Sequence, residues 1–102
     1  PAWVNQQLDV DRRTTEVGLR GAHLAQTDAR AALRQQVDAL RLGESTVGRA
    51  AAMDERVERA VADAVQRARA SRVVYRADGV DVRVSLDLEL LWRGLSATND
   101  PR

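Results

Sequence analysis

The chain has 102 residues, one histidine, no cysteine and no phenylalanine, and its 16 basic and 15 acidic residues leave a formal net charge of +1. This length suits one domain, residues 1–102, with a single core built mainly from Leu, Val and Ala. The charge balance does not mark a nucleic-acid binder or a protein of anionic membranes. The lack of cysteine excludes disulfides, thiolate chemistry and Cys-based zinc sites. No apolar run approaches the roughly 18 residues of a membrane span.

The N-terminal segment predicts irregular structure followed by a strand. Residues 1–13 show no sustained period, and we expect Trp3 to pack as a lid on the edge of the core. Residues 14–21 alternate between apolar and polar side chains and predict a first strand. Gly18 and Gly21 inside that strand indicate a bulge or a close approach of another backbone.

Residues 22–42 predict the first helix, because Ala, Leu, Arg and Gln favour helices. Its core-facing stripe, at helical spacing, is formed by Ala29, Leu33, Val37 and Leu40. Gly43 is the expected stop at the helix C-terminus.

Residues 44–53 are less regular, and 45–48 fit either a loop or a short extended piece. Asp54 is a good N-cap for a second helix that runs to about Ala70. The buried stripe of that helix is expected to be Val57, Val61, Ala64, Val65 and Ala68.

A hairpin near the C-terminus is the strongest pattern in the chain. Residues 80–90 alternate strictly between apolar and polar side chains, which predicts a strand with one buried face. Asp78-Gly79 is typical of a two-residue type I′ turn. This turn predicts that Tyr75 pairs with Val82 and that Val73 pairs with Val84.

The outer face of this hairpin is predicted to be polar. It carries Arg72, Val74, Arg76, Asp81, Arg83, Ser85, Asp87 and Glu89. A solvated, salt-paired face is the first interpretation of the three arginines and an intersubunit face is the second. Nucleic-acid binding is a distant third, since that face has no aromatic side chain.

Beyond Glu89 the period changes from strand to helix. Leu88, Leu91, Trp92 and Leu95 lie at helical spacing and predict a short helical turn. This turn either docks Trp92 on the core or exposes it to a partner. Residues 96–102 are expected to form a frayed tail.

The predicted fold class is therefore α+β in two layers. The elements follow the order β-α-α-β-β, with a three-stranded, mostly antiparallel sheet and two helices on one of its faces. We expect Val74, Leu91 and Trp92 to lie off the main core, since an exposed strand face and a Trp-bearing tail favour association through that surface. The candidate interface residues are Val74, Arg76, Arg83, Leu91, Trp92 and Leu95.

No pattern in the chain predicts a catalytic, cofactor or metal site. His23 is the only histidine, and a metal site needs three or four ligands. Asp87 and Glu89 lie two residues apart on the predicted strand, and the best interpretation is that both lie on its solvent-exposed face. Gly18 and Gly21 lack the strand–turn–helix placement of a phosphate-binding loop. We therefore expect a protein that is not an enzyme.

Several segments together resemble a known family. They are residues 1–4, 17–22 leading into 28–33, 42–47, 68–75, 78–82 and 86–92. With this set, which extends over about Trp3 to Leu95, the chain resembles the small bacterial outer-membrane lipoprotein family that includes the flagellar basal-disc lipoprotein and the N-terminal domain of a flagellar outer-ring protein.

The resemblance implies a non-enzymatic, periplasmic domain, associated with the outer membrane, that assembles into rings or discs. Its partners would be further copies of itself or other envelope proteins, and a membrane would be reached only through a lipid anchor or a partner. The chain has no lipobox cysteine, which leaves two alternatives: the cysteine preceded Pro1, or this member is not lipidated. The alternative function is a periplasmic binding module that captures a peptide, glycan or envelope protein through its outer sheet face or Trp92.

Overall fold

The computed structural model describes residues 6–98 and has an α+β fold. Three strands form an antiparallel sheet in the order β1-β5-β4, and β2 and β3 form a separate two-stranded sheet. The elements are β1 Gln7–Thr14, α1 Gly18–Asp38, β2 Arg41–Leu42, β3 Ser45–Thr46, α2 Val47–Met53, α3 Glu55–Arg67, β4 Arg69–Arg76, β5 Gly79–Asp87 and α4 Leu88–Thr98. The fold class and the three-stranded sheet are confirmed, and the predicted helical turn after the hairpin is part of the longer helix α4. Helix α2 and the small sheet add to the predicted elements.

β5 is the central strand of the sheet. Its apolar and polar side chains alternate, and the apolar face is buried as predicted. Its inward row, Val80, Val82, Val84 and Leu86, is buried in the core. β1 pairs with one side of it, with Val10 opposite Val84, and β4 pairs with the other side. α1 packs across β1 and β5 on this inward face.

The hairpin register differs from the prediction by two residues. Tyr75 pairs with Val80 and Val73 with Val82, so the loop is Ala77-Asp78 and Gly79 already pairs with Arg76. A type I′ turn is excluded, because within residues 6–98 only glycines have positive φ. A Cβ on Gly79 would lie 2.0 Å from the carbonyl oxygen of Thr14, so close packing against β1 explains the glycine.

A slip of two residues keeps every side chain on its predicted face. Tyr75 therefore belongs to the inward row, yet it is 55% exposed. A β-bulge between Ala70 and Arg72 interrupts the first half of β4, whereas the register from Arg72 to Arg76 is regular.

The first strand was predicted in the wrong place. It lies at Gln7–Thr14, inside the segment expected to be irregular, and residues 18–21 open α1 instead. Both glycines lie in α1 and not in a strand. A Cβ on Gly21 would lie 2.0 Å from the carbonyl oxygen of Glu16, which is a close backbone approach, whereas one on Gly18 would meet nothing within 4 Å. Trp3 lies outside the described residues.

α1 has the predicted core stripe but different ends. Ala29, Leu33 and Val37 are fully buried, and Leu40 packs partly buried beyond the helix. The helix ends at Asp38, not at Leu42, and Gly43 has a φ of 64° in the turn between β2 and β3. Gly43 is therefore a turn residue and not a helix stop.

α2 and α3 begin with side-chain caps. Thr46 accepts a hydrogen bond from the backbone N–H of Arg49, and Asp54 accepts one from Arg56, as predicted for Asp54. α3 ends at Arg67, three residues before the predicted end, and its predicted buried stripe is confirmed.

α4 replaces the predicted end of the hairpin strand. The side chain of Asp87 accepts a hydrogen bond at 2.9 Å from the backbone N–H of Glu89, which caps the helix and stops β5. Asp87 and Glu89 thus do not share a strand face. The helix continues to Thr98, so residues 96–98 of the predicted tail are helical, and 99–102 lie outside the described residues.

Candidate interaction surface on the outer sheet face

The outer face of the sheet carries a ladder of paired charges across its three strands. β5 contributes Asp81, Arg83 and Ser85 to this ladder. On β1, Arg13 lies opposite Asp81, Asp11 opposite Arg83 and Asp9 opposite Ser85. Each opposite pair brings an acceptor and a donor together. Alternation along both strands therefore creates the ladder, since every second side chain points outward.

Asp81 joins all three strands. Nε of Arg13, on β1, donates to Oδ1 of Asp81 at 2.6 Å, and Nε of Arg76, on β4, donates to Oδ2 at 2.6 Å. These two hydrogen bonds, that of Arg13 foremost, lower the pKa of Asp81 to about 2. The carboxylate stays ionised at neutral pH and ties β1 and β4 to the central strand.

The next two rungs of the ladder are weaker versions of the same arrangement. Nε and Nη2 of Arg83 donate to the two carboxylate oxygens of Asp11 at 2.8 and 3.2 Å, which lowers the pKa of Asp11. The hydroxyl of Ser85 donates to Asp9 at 2.6 Å and lies 2.7 Å from the hydroxyl of Ser71 in the bulge.

Arg72 stands apart in this ladder, because it makes no ion pair or side-chain hydrogen bond with another residue of the described range 6–98. It lines a shallow groove of about 340 Å³ on the outer face, together with Val74, Arg76 and residues of β1 and β5. Besides Arg12, which pairs with Asp28, the lining contains four arginines and two aspartates, so the groove has an excess of positive charge.

The structure brings together three of the predicted interface residues. Val74, Arg76 and Arg83 line the same groove on the outer face. The solvated, salt-paired interpretation of this face is confirmed for Arg76 and Arg83, each of which has an aspartate partner.

The other three predicted interface residues lie elsewhere, on α4. The expectation that Leu91 lies off the core is wrong: Leu91 and Leu95 are 1% and 5% exposed in the core. Trp92 is partly buried and packs against the core. α4 docks on α3 because its leucines meet the apolar stripe of that helix.

Sequence reasoning missed the contribution of β1 to this surface. Asp9, Asp11 and Arg13 lie in the segment that was expected to be irregular. Their alternation with Leu8 and Val10 indicates a strand, but the inward position of the charged Arg12 interrupts the apolar row. Arg12 is accommodated by an ion pair with Asp28 of α1, with 3.2 Å between Nε and Oδ2.

A second groove, of about 480 Å³, lies between α3, α4 and the ends of the strands. Its lining includes Ala60, Ala64 and Gly94 and also Leu90, which is 55% exposed. It was not predicted, because Leu90 was assigned to the inward row of the hairpin strand.

The described part of the chain contains no group of three or more His, Asp and Glu side chains placed to hold a metal ion. His23 is exposed on α1. Among residues 6–98, none of the helices combines the length and the apolar character needed to cross a bilayer. Comparisons with protein-family models, with curated proteins and with solved structures found no match for this chain.

Proposed function

We propose that this chain is a non-enzymatic assembly domain of a bacterial envelope protein, located in the periplasm in association with the outer membrane. One observation carries the assembly part of this proposal: within residues 6–98, the helices pack on one face of the sheet, and neither edge strand has a second strand neighbour. β1 and β4 each have a strand neighbour on one side. Alternate backbone N–H and C=O groups of such strands point away from the sheet and are available to another chain.

The outer sheet face supports the same proposal. Its charges are held in fixed positions by the ladder of Arg13, Asp81 and Arg76 and by the pair of Asp11 and Arg83. Charges that are already oriented lose little side-chain entropy when a partner binds, so they favour a defined docking geometry. The envelope location is supported only by the family resemblance described above.

Absolute mass in solution tests the assembly function. Light scattering across a tenfold concentration range should give a discrete multiple of the 11.2 kDa chain mass. A strict monomer throughout that range would contradict the proposal. For the location, fractionation of cells of the source organism should recover the tagged protein with the outer membrane, and recovery in the cytoplasm would contradict it.

The excess of arginine in the outer groove favours a second candidate function, a periplasmic module that binds a partner through this face. Arg72 offers a guanidinium without a partner among the described residues, and guanidinium groups bind carboxylates and phosphates in a bidentate manner. A monomer that captures an acidic peptide, and loses this binding in Arg72→Gln, would favour the second function over the first.

A further inference from the structure

The two open edges of the sheet differ in chemistry. β4 presents a basic outward row, with Arg72 and Arg76 on either side of Val74, whereas β1 presents Asp9 and Asp11 ahead of Arg13. The inward rows are apolar over part of each edge: Val73 and Tyr75 on β4, and Leu8 and Val10 on β1, ahead of the charged Arg12. The edges are thus complementary to each other.

From this complementarity we infer that copies of the chain assemble head to tail, with β4 of one copy pairing with β1 of the next to form one continuous sheet. This inference deepens the proposed function and rests on it, since it names the partner and the contact of the assembly. β1 and β4 both run antiparallel to β5, so they run parallel to each other. A head-to-tail contact therefore joins them as a parallel pair.

One register of this parallel pair gives both the outward and the inward side chains favourable neighbours. It places Arg76 beside Asp11 of the next copy and Val74 beside its Asp9 on the outer face. On the inner face it places Tyr75 beside Val10 and Val73 beside Leu8, an aromatic and a β-branched residue in one pair. Tyr75, which is 55% exposed in the single chain, becomes covered by the neighbouring strand. Shifting the register by two residues in one direction sets Arg76 beside Arg13 instead.

Symmetric contacts of like edges are less favourable. Two antiparallel β4 strands centred on Val74 bring Arg72 of one copy opposite Arg76 of the other, and like charges directly opposite are destabilising. Two antiparallel β1 strands centred on Val10 or on Asp11 place aspartates opposite each other, and centring them on Arg12 places the two Arg12 side chains opposite each other on the inner face. The head-to-tail contact avoids both conflicts, and contacts of this kind close into rings or grow into filaments.

The bulge in β4 limits the contact to one half of that strand. Bulges disrupt the edge and block pairing, and this one lies between Ala70 and Arg72. The regular half, Arg72 to Arg76, contains all the residues that the register uses. β1 has no register shift along its eight residues.

Cysteine cross-linking tests the inference directly, because the chain has no cysteine of its own. The double variant Asp9→Cys/Val74→Cys places the two thiols on neighbouring strands of adjacent copies, with Cα atoms about 4.8 Å apart, which suits a disulfide. Within one chain, the two positions are two strand spacings apart and lie level with β5 residues four positions apart, Ser85 and Asp81. Their separation is therefore roughly 16 Å, which is too far for a disulfide. Oxidation should therefore give a ladder of dimers, trimers and larger species on a denaturing, non-reducing gel.

The single variants separate head-to-tail from symmetric assembly. Val74→Cys alone and Asp9→Cys alone should give no disulfide dimer, whereas a mixture of the two should give dimers and nothing larger. The matched control is Asp9→Cys/Arg41→Cys, in which the second thiol lies on the exposed β2 strand, and it should not form the ladder. Strong dimer formation by either single variant would overturn the inference in favour of a symmetric contact.

Substitution of the exposed apolar residue gives an independent readout. Tyr75→Glu should raise the dissociation constant of the assembly by on the order of tenfold or more, since it removes the aromatic contact and adds a charge to the inner row. Leu90→Glu, at an equally exposed position on α4, should leave the constant within about twofold. Equal effects of the two substitutions would overturn the inference.

The outcomes separate this inference from the proposed function. A discrete oligomer whose double cysteine variant forms no ladder would retain the assembly function and overturn the edge-to-edge contact. A strict monomer by light scattering would overturn both.

Discussion

Arg34 of α1 and Glu58 of α3 are joined by two hydrogen bonds, with Nη1 of the arginine 2.9 Å from Oε2 and Nη2 2.5 Å from Oε1 of the glutamate. The same guanidinium also donates through Nε to Asp38 at 2.9 Å. These contacts raise the pKa of Arg34 and lower that of Glu58, the hydrogen bonds between the two being the main cause. The contacts with Glu58 join α1 to α3.

We expect Arg34→Met to destabilise the protein by about 1 kcal/mol, because it removes charge-assisted hydrogen bonds that solvent screens in part. Arg59→Met is the matched control, since Arg59 makes an exposed pair with Glu55 within one helix. Its effect should stay below about 0.5 kcal/mol. Chemical denaturation measures both values, and equal losses would contradict a special role for the bridge between the helices.

Leu90 and Leu91 are neighbours in α4 with opposite environments, 55% and 1% exposed. Leu91→Ala should cost about 2–5 kcal/mol, because it leaves a cavity in the core. Leu90→Ala should stay within about 0.5 kcal/mol of the wild type. Thermal and urea unfolding of the two variants test the placement of α4, and a larger loss for Leu90 than for Leu91 would show that the helix is rotated.

Substitution of two helical glycines by alanine should change the stability of the protein in opposite directions. A Cβ on Gly21 would lie 2.0 Å from the backbone oxygen of Glu16, whereas one on Gly94 would make an ordinary contact at 3.7 Å with Ala60. Gly94→Ala should therefore stabilise the protein by about 0.4–1 kcal/mol, chiefly by restricting the unfolded chain. Gly21→Ala should destabilise it, since α1 must move away from the preceding turn. Denaturant unfolding gives both signs, and a gain for Gly21→Ala would rule out the close approach.

Asp81 should make stability fall at acid pH. Its pKa is about 2 in the folded protein, below the ordinary 3.8, so its contribution is complete above about pH 4 and is lost as the pH falls towards about 2. Asp81→Asn removes this contribution, and its stability should depend less steeply on pH across that window. Arg13→Gln/Arg76→Gln should produce the same shallower dependence, because it removes the donors that lower the pKa. If the stability of both variants depended on pH as steeply as that of the wild type, this account would be contradicted.

The elements with a strong single period were predictable from the sequence. β5 has β-branched and leucine residues at every second position, and the apolar stripe of α3 recurs at helical spacing, so burial follows directly from the pattern. The Asp54 cap adds a local hydrogen bond that does not depend on tertiary contacts.

The remaining elements depend on contacts that a local pattern does not contain. β1 places the charged Arg12 inward because Asp28, 16 positions further along the chain, pairs with it. Leu86, Leu88 and Leu90 continue the strand period, yet the side chain of Asp87 caps a helix there and buries Leu91 instead. The charge ladder of the outer face could be predicted only in part, since its acidic partners on β1 were not recognised as a strand.

Amide hydrogen exchange of the wild-type protein, measured in dilute and in concentrated solution, tests head-to-tail assembly most directly. The outward-pointing amides of an open edge strand exchange readily, and they become protected when a second strand pairs with them. The account predicts that concentration slows exchange in residues 72–76 of β4 and in β1 together, with β5 unchanged. Protection of only one edge, or of α4 with both edges unchanged, would contradict it.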